Sequence, residues 1–113
     1  MKIMYNPACT KCEMGLNLLV ENGINPEIIN YLENPPTKLE LEEIIQKLGI
    51  KPLELVRINE LVFHQKYLGR NMTDEDWIEA MVCHPVLIQR PIVISENSAV
   101  IGRPPSLILS LLK

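Results

Sequence analysis

No apolar run in this chain comes near the roughly 18 residues that span a bilayer. Its opening stretch, Met1-Lys2-Ile3-Met4-Tyr5-Asn6-Pro7, has no apolar segment of signal-peptide length. No membrane partner is expected, and the cytoplasm is the expected location. Positive charge is also scarce: eleven Lys and Arg against fourteen Asp and Glu give a net charge of −3. Such a surface has no bulk attraction for nucleic acid or anionic lipid, so direct nucleic-acid binding is not expected and any bound anion must be gripped locally. Three cysteines are too few, and odd in number, for a disulfide framework. Repeats, linkers and low-complexity stretches are missing as well. With 113 residues and 47% hydrophobic content, one domain spanning 1–113 with a real core is expected.

The order of local signals points to an α/β protein. Lys2 to Tyr5 reads as a first strand, stopped by Asn6-Pro7. From Thr10 to Asn22, Glu13, Asn17 and Glu21 recur every four positions while Cys12, Leu16, Leu19 and Val20 fill another face, which is a helical period. Pro26 to Tyr31 suits a second strand after this crossover, completing a βαβ unit. Thr37 and Glu40 form a capping box ahead of Leu41, Ile44, Ile45 and Leu48, and Gly49 takes the C′ position. Short helical pieces are expected from Pro52 to Arg57 and around His64 to Leu68. Thr73 caps another helix whose Trp77, Ile78, Met81 and Val82 face inward, ending before Pro85. Pro91 to Ile94 and Ala99 to Ile101 read as a hairpin, and Ser106 to Leu112 as a closing helix. The order is therefore βαβ, a helical insert, then ββα.

Cys9-Thr10-Lys11-Cys12 lies where the first strand gives way to a helix. Unpaired N–H groups, the positive end of the helix dipole and Lys11 all favour a thiolate there, so Cys9 is expected to be an acidified nucleophile. Cys12, one turn on, leans back toward the amino end and is close enough in principle for a Cys9–Cys12 disulfide. Zinc would want a second ligand pair, and only Cys83-His84 remains, so no metal site is expected. Cys83 alone reads as a small core residue, His84 as a helix end, and His64 as a solvated position.

Arginine is scarce, and two of the four, Arg90 and Arg103, directly precede proline, which restricts their backbones and helps aim the side chains. Guanidinium forks grip a tetrahedral oxyanion at two points. The contiguous Cys-x5-Arg loop of phosphatase-like reductases is absent, because Gly15 stands six residues after Cys9. An oxyanion site would have to draw its arginines from remote segments.

Taken together, Tyr5-Asn6-Pro7-Ala8-Cys9, Tyr31-Leu32-Glu33-Asn34-Pro35-Pro36, Arg57, His84-Pro85, Gln89-Arg90-Pro91-Ile92-Val93-Ile94 and Gly102-Arg103-Pro104-Pro105 resemble the glutaredoxin-coupled arsenate reductases of the ArsC family. That resemblance implies a thioredoxin-like fold with a mixed four-stranded sheet and a cis-proline at Pro91. It implies Cys9 as nucleophile, and Arg57, Arg90, Arg103 and Asn6 of the active-site turn as oxyanion-binding groups. Arsenate would be the substrate and glutathione the co-substrate, with no cofactor bound. Glutathione would displace the arsenic adduct, and glutaredoxin would complete the reduction to arsenite. This chain departs from the best-known members in carrying Tyr5 where they have a histidine, and Cys12 where they have no cysteine. It also ends at Lys113, as the shorter members do. Related Spx-type regulators carry a Cys-x-x-Cys switch at this site. A redox-sensing regulator of RNA polymerase and a general thiol–disulfide oxidoreductase therefore remain alternatives.

Overall fold

In the computed structural model, which describes residues 1–112, the chain divides into two compact units. One comprises residues 1–34 together with the chain from residue 90 onward, and the other is Pro35–Gln89.

The first unit is built on strand β1 (Lys2–Tyr5), helix α1 (Thr10–Glu21), strand β2 (Glu27–Asn30), and the hairpin β3 (Ile92–Ile94) and β4 (Ala99–Ile101). The four strands form one sheet in the order β2-β1-β3-β4. β1 runs parallel to β2, with Ile3 opposite Ile28, and antiparallel to β3, with Ile3 opposite Val93. β3 and β4 pair antiparallel. The sheet is mixed because a helical crossover permits a parallel neighbour, whereas the tight Ser95–Ser98 turn permits only an antiparallel one. Ile3, Leu19, Val93 and Ile108 are wholly buried and hold β1, α1, β3 and the closing helix together. That closing helix, Pro105–Leu112, is wound as a 3-10 helix throughout. Gly15 and Gly102 are what let it approach. A Cβ on Gly15 would fall 2.8 Å from Ile108 Cδ1, and one on Gly102 would fall 2.9 Å from the same atom and 3.0 Å from Pro91 Cγ. The ring of Pro91 is thus seated against the backbone of both α1 and the segment after β4.

The second unit contains α2 (Lys38–Leu48), α3 (Leu61–Lys66) and α4 (Asp74–Cys83), with 3-10 turns at Pro52–Leu55 and Pro85–Leu87. Thr37 and Glu40 exchange both bonds of a capping box, at 3.2 and 3.0 Å, and Gly49 ends α2 with φ at +68°. Thr73 and Asp76 make the same reciprocal pair for α4. Phe63 stacks on Trp77 with centroids 5.8 Å apart, tying α3 to α4.

Two expectations need correction. Cys83 is exposed rather than buried. The buried stripe of α4 is Trp77, Ala80 and Met81, and Cys83 lies more than a quarter turn off it. It instead lines an open cleft of about 530 Å³ with Tyr67, Arg70 and Glu79. Val20, expected on the inner face of α1, is 58% exposed for the same reason, because Cys12, Gly15 and Leu19 define that face. Among the described residues, no helix is long and apolar enough to cross a membrane.

Candidate active site

The turn between β1 and α1 is shaped by Asn6. Its Oδ1 accepts the Ala8 N–H at 3.0 Å, its carbonyl accepts the Cys9 N–H at 2.9 Å, and its own N–H donates to Cys12 Sγ at 3.5 Å. The side-chain oxygen of Asn6 is therefore engaged in forming the turn. Cys9 follows as the N-cap of α1, in extended conformation, with its carbonyl accepting from Glu13 N–H at 3.2 Å and its side chain making no capping bond. Its sulfur is left at the amino end of a twelve-residue helix. That is the position where orphan N–H groups and the helix dipole favour an anion.

The sulfur is partly exposed. Burial pushes the Cys9 thiol upward, but the N–H and thiol of Cys12, the Arg90 guanidinium and the N–H of Lys11 outweigh it and bring its pKa down to about 7. The contribution of Lys11 comes from its amide, while its side chain lies on an exposed residue. Arg103 adds a second guanidinium, with Nη2 at 3.7 Å from Cys9 Sγ. Its Nε donates to the Arg90 carbonyl at 2.6 Å, so one arginine orients the other. The Arg90 guanidinium is itself buried, which opposes its charge. Interactions with Tyr31 and Cys9 overcome that opposition and hold it more firmly protonated than usual.

Cys12 is the opposite case, with no exposed surface. Burial raises its pKa to about 11; the Asn6 N–H counteracts this, the hydrogen bond to Cys9 and the Cys9 charge add to it, and Arg90 again opposes it. Around neutral pH Cys9 is therefore about half ionised, and its thiolate form receives a hydrogen bond from a thiol at Cys12.

The peptides Arg90–Pro91 and Arg103–Pro104 are both cis. The sequence marks both Arg-Pro pairs, but the family resemblance implies a cis bond only at Pro91. Tyr31, fully buried and coupled to Arg90, was also missed, because a tyrosine after a strand carries no mark of its partner. Arg57 belongs to the second unit, where its Nε donates to Glu60 Oε1 at 3.0 Å and its N–H donates to the Leu87 carbonyl at 2.6 Å. The first unit thus gathers Asn6, Cys9, Cys12, Arg90, Pro91 and Arg103.

The ArsC family model matches residues 4–111. Over 112 residues the chain is 40% identical to the uncharacterized protein YfgD of Escherichia coli (strain K12), covering 97% of this chain and 94% of that one. It is 36% identical over 105 residues to an arsenate reductase of Neisseria meningitidis serogroup B (strain ATCC BAA-335 / MC58), covering 91% and 90% of the two chains. The solved structure of an arsenate reductase from Vibrio cholerae superimposes with a TM-score of 0.93 at 38% identity, covering 96% of this chain and 94% of the other. With the family model spanning residues 4–111 and the solved relative superimposing over nearly the whole chain, the fold is thioredoxin-like and the chain belongs to the ArsC family.

Proposed function

We propose that this chain is a cytoplasmic arsenate reductase in which the Cys9 thiolate attacks arsenate, with glutathione and glutaredoxin as the source of electrons. One observation carries the reading: a sulfur acidified to about 7 at the amino end of α1, with the Arg103 guanidinium 3.7 Å away. The relatives named arsenate reductases support the choice of oxyanion.

In the first step the sulfur forms a bond to arsenic(V), and an arsenate oxygen leaves as water after taking up protons. Arg90 and Arg103 neutralise the negative oxygens as the charged thiolate approaches them. Arg57 is assigned as the third such group through its match to the family pattern. In the second step a thiol attacks Cys9 Sγ, an S–S bond forms, and the S–As electron pair stays on arsenic, which leaves as arsenite. The disulfide is then returned to thiols by glutathione and glutaredoxin.

The test is conversion of arsenate to arsenite by the purified chain with glutathione and glutaredoxin. Turnover that vanishes in Cys9→Ser is expected, and wild-type turnover no higher than that of the variant removes the reading. The Cys12 thiol bonded to Cys9 also fits the two alternatives, a Spx-like regulator and a general oxidoreductase. Arg90→Ala separates the enzyme from the latter, since it cuts arsenate reduction far more than disulfide reduction, which loses only the share of Cys9 acidification that Arg90 supplies. Binding to RNA polymerase that depends on the oxidation state of the pair would favour the regulator.

A further inference from the structure

The geometry points to Cys12 as the thiol that resolves the Cys9–arsenic bond from within the chain, with external thiols serving to reduce the resulting Cys9–Cys12 disulfide. This rests on the arsenate reductase reading and assigns its second step to a residue.

Three observations carry it. Cys12 has no exposed surface, so no external reagent reaches its sulfur, while Cys9 is partly exposed and open to substrate. A buried thiol hydrogen-bonded to a reactive sulfur can exchange with that neighbour. Second, the Asn6 backbone serves both cysteines: its carbonyl holds the Cys9 N–H at 2.9 Å and its N–H donates to Cys12 Sγ at 3.5 Å. Third, Cys12 sits in the first turn of α1, where side chains lean toward the amino end and so toward Cys9.

The electrostatics supply a trigger. In the resting pair, the hydrogen bond to the Cys9 thiolate and its charge help keep Cys12 protonated, on top of burial. Once Cys9 is bonded to arsenic, its charge is consumed. The Asn6 N–H and Arg90, which both favour a Cys12 thiolate, then remain without that opposition. Forming the adduct thus removes the part of the Cys12 shift that Cys9 causes, while burial, its largest cause, keeps the thiol protonated until the proton passes to the arsenic-bound oxygen. In the step itself, Cys12 Sγ gives its proton to an arsenic-bound oxygen and attacks Cys9 Sγ. The S–S bond forms, the S–As bond breaks, and arsenic keeps the electron pair as arsenic(III). The two cysteines are oxidised together by two electrons, and a glutathione or dithiol reductant restores them.

A single-turnover experiment decides the matter. Cys83 is exposed and outside the site, so Cys83→Ser serves as the background. The fully reduced chain, stripped of small thiols and kept free of oxygen, is mixed with arsenate, with phosphate as the non-reducible control. One arsenite per chain, loss of both remaining thiols and a Cys9–Cys12 linked peptide in mass spectrometry are expected with arsenate and not with phosphate. Cys12→Ser and Cys12→Ala should release no arsenite under these conditions. Should both variants fail to fold, the burst and the linked peptide in the background protein still decide. A chain that turns over arsenate with glutathione and glutaredoxin but gives no burst without them overturns the role of Cys12 and leaves the reductase reading intact. Absence of turnover even with both reductants removes that reading and this inference with it.

Discussion

Arg103 Nη2 lies 3.7 Å from Cys9 Sγ although 94 positions separate the two residues in the chain. The contact exists because β3 and β4 return the chain beside β1, and because the bond from Arg103 Nε to the Arg90 carbonyl fixes the direction of the guanidinium. A single nucleophile is thereby served by two arginines whose own positions depend on each other. The consequences can be measured.

Cys9 should ionise near pH 7, well below an ordinary thiol. The thiolate is the reactive form, so the rate of alkylation by iodoacetamide should climb as pH rises through 7 and level off above it. Cys12→Ala removes one donor to the sulfur and should move the inflection upward. An unchanged inflection would show that the Cys12 thiol is not among the groups stabilising the anion.

Arg103→Ala and Arg57→Ala should differ in kind. Loss of a charge-assisted bond costs about 1.5–3 kcal/mol, or roughly ten- to a hundredfold in kcat/KM for arsenate. Arg103→Ala should show that loss together with slower alkylation of Cys9 at neutral pH. Arg57→Ala, if its guanidinium serves only the oxyanion, should raise KM and leave the alkylation profile unchanged. Steady-state kinetics beside iodoacetamide titration separates the two.

Gly102→Ala should destabilise the chain by about 1–3 kcal/mol, the usual cost of overpacking. The added methyl would meet Ile108 Cδ1 at 2.9 Å and the less yielding Pro91 ring at 3.0 Å. Urea denaturation reads the loss. Gly15→Ala, whose tightest neighbour is the mobile end of Ile108, should cost less, since alanine also favours the helix by about 1 kcal/mol.

Thr73→Ala breaks the capping box of α4 and should cost about 1 kcal/mol in the same assay. Because Thr73 lies in the unit that does not contain Cys9, the alkylation profile of the cysteine should stay the same.

Much of this architecture is legible because its signals are short-range. The pairs Thr37 with Glu40 and Thr73 with Asp76 mark helix starts within four residues, and the Ser95–Ser98 turn separates two strands short enough to admit only a hairpin. The readings that failed, Cys83 and Val20, share a cause. An apolar residue type states a preference for burial, but which side of a helix faces the core depends on what the rest of the chain brings to it. The helix start directs the Lys11 N–H at the Cys9 sulfur, as its position implies, while the lysine itself lies exposed.

The residues alone determined the order of elements, the placement of a Cys-x-x-Cys at a strand-to-helix turn and the two Arg-Pro pairs, since each is a matter of local backbone preference and neighbouring side chains. The start of α1 already marked Cys9 as the acidified sulfur, and tertiary structure decided how completely Cys12 is shut away and how far the two thiols part. Cys9 and Cys12 are chemically identical and three positions apart. Their pKa values separate, to about 7 and about 11, through different exposure, the shared Asn6 backbone and guanidinium groups delivered from the far end of the chain. Desolvation and charge proximity are properties of a folded neighbourhood, and no spacing in the sequence encodes them directly.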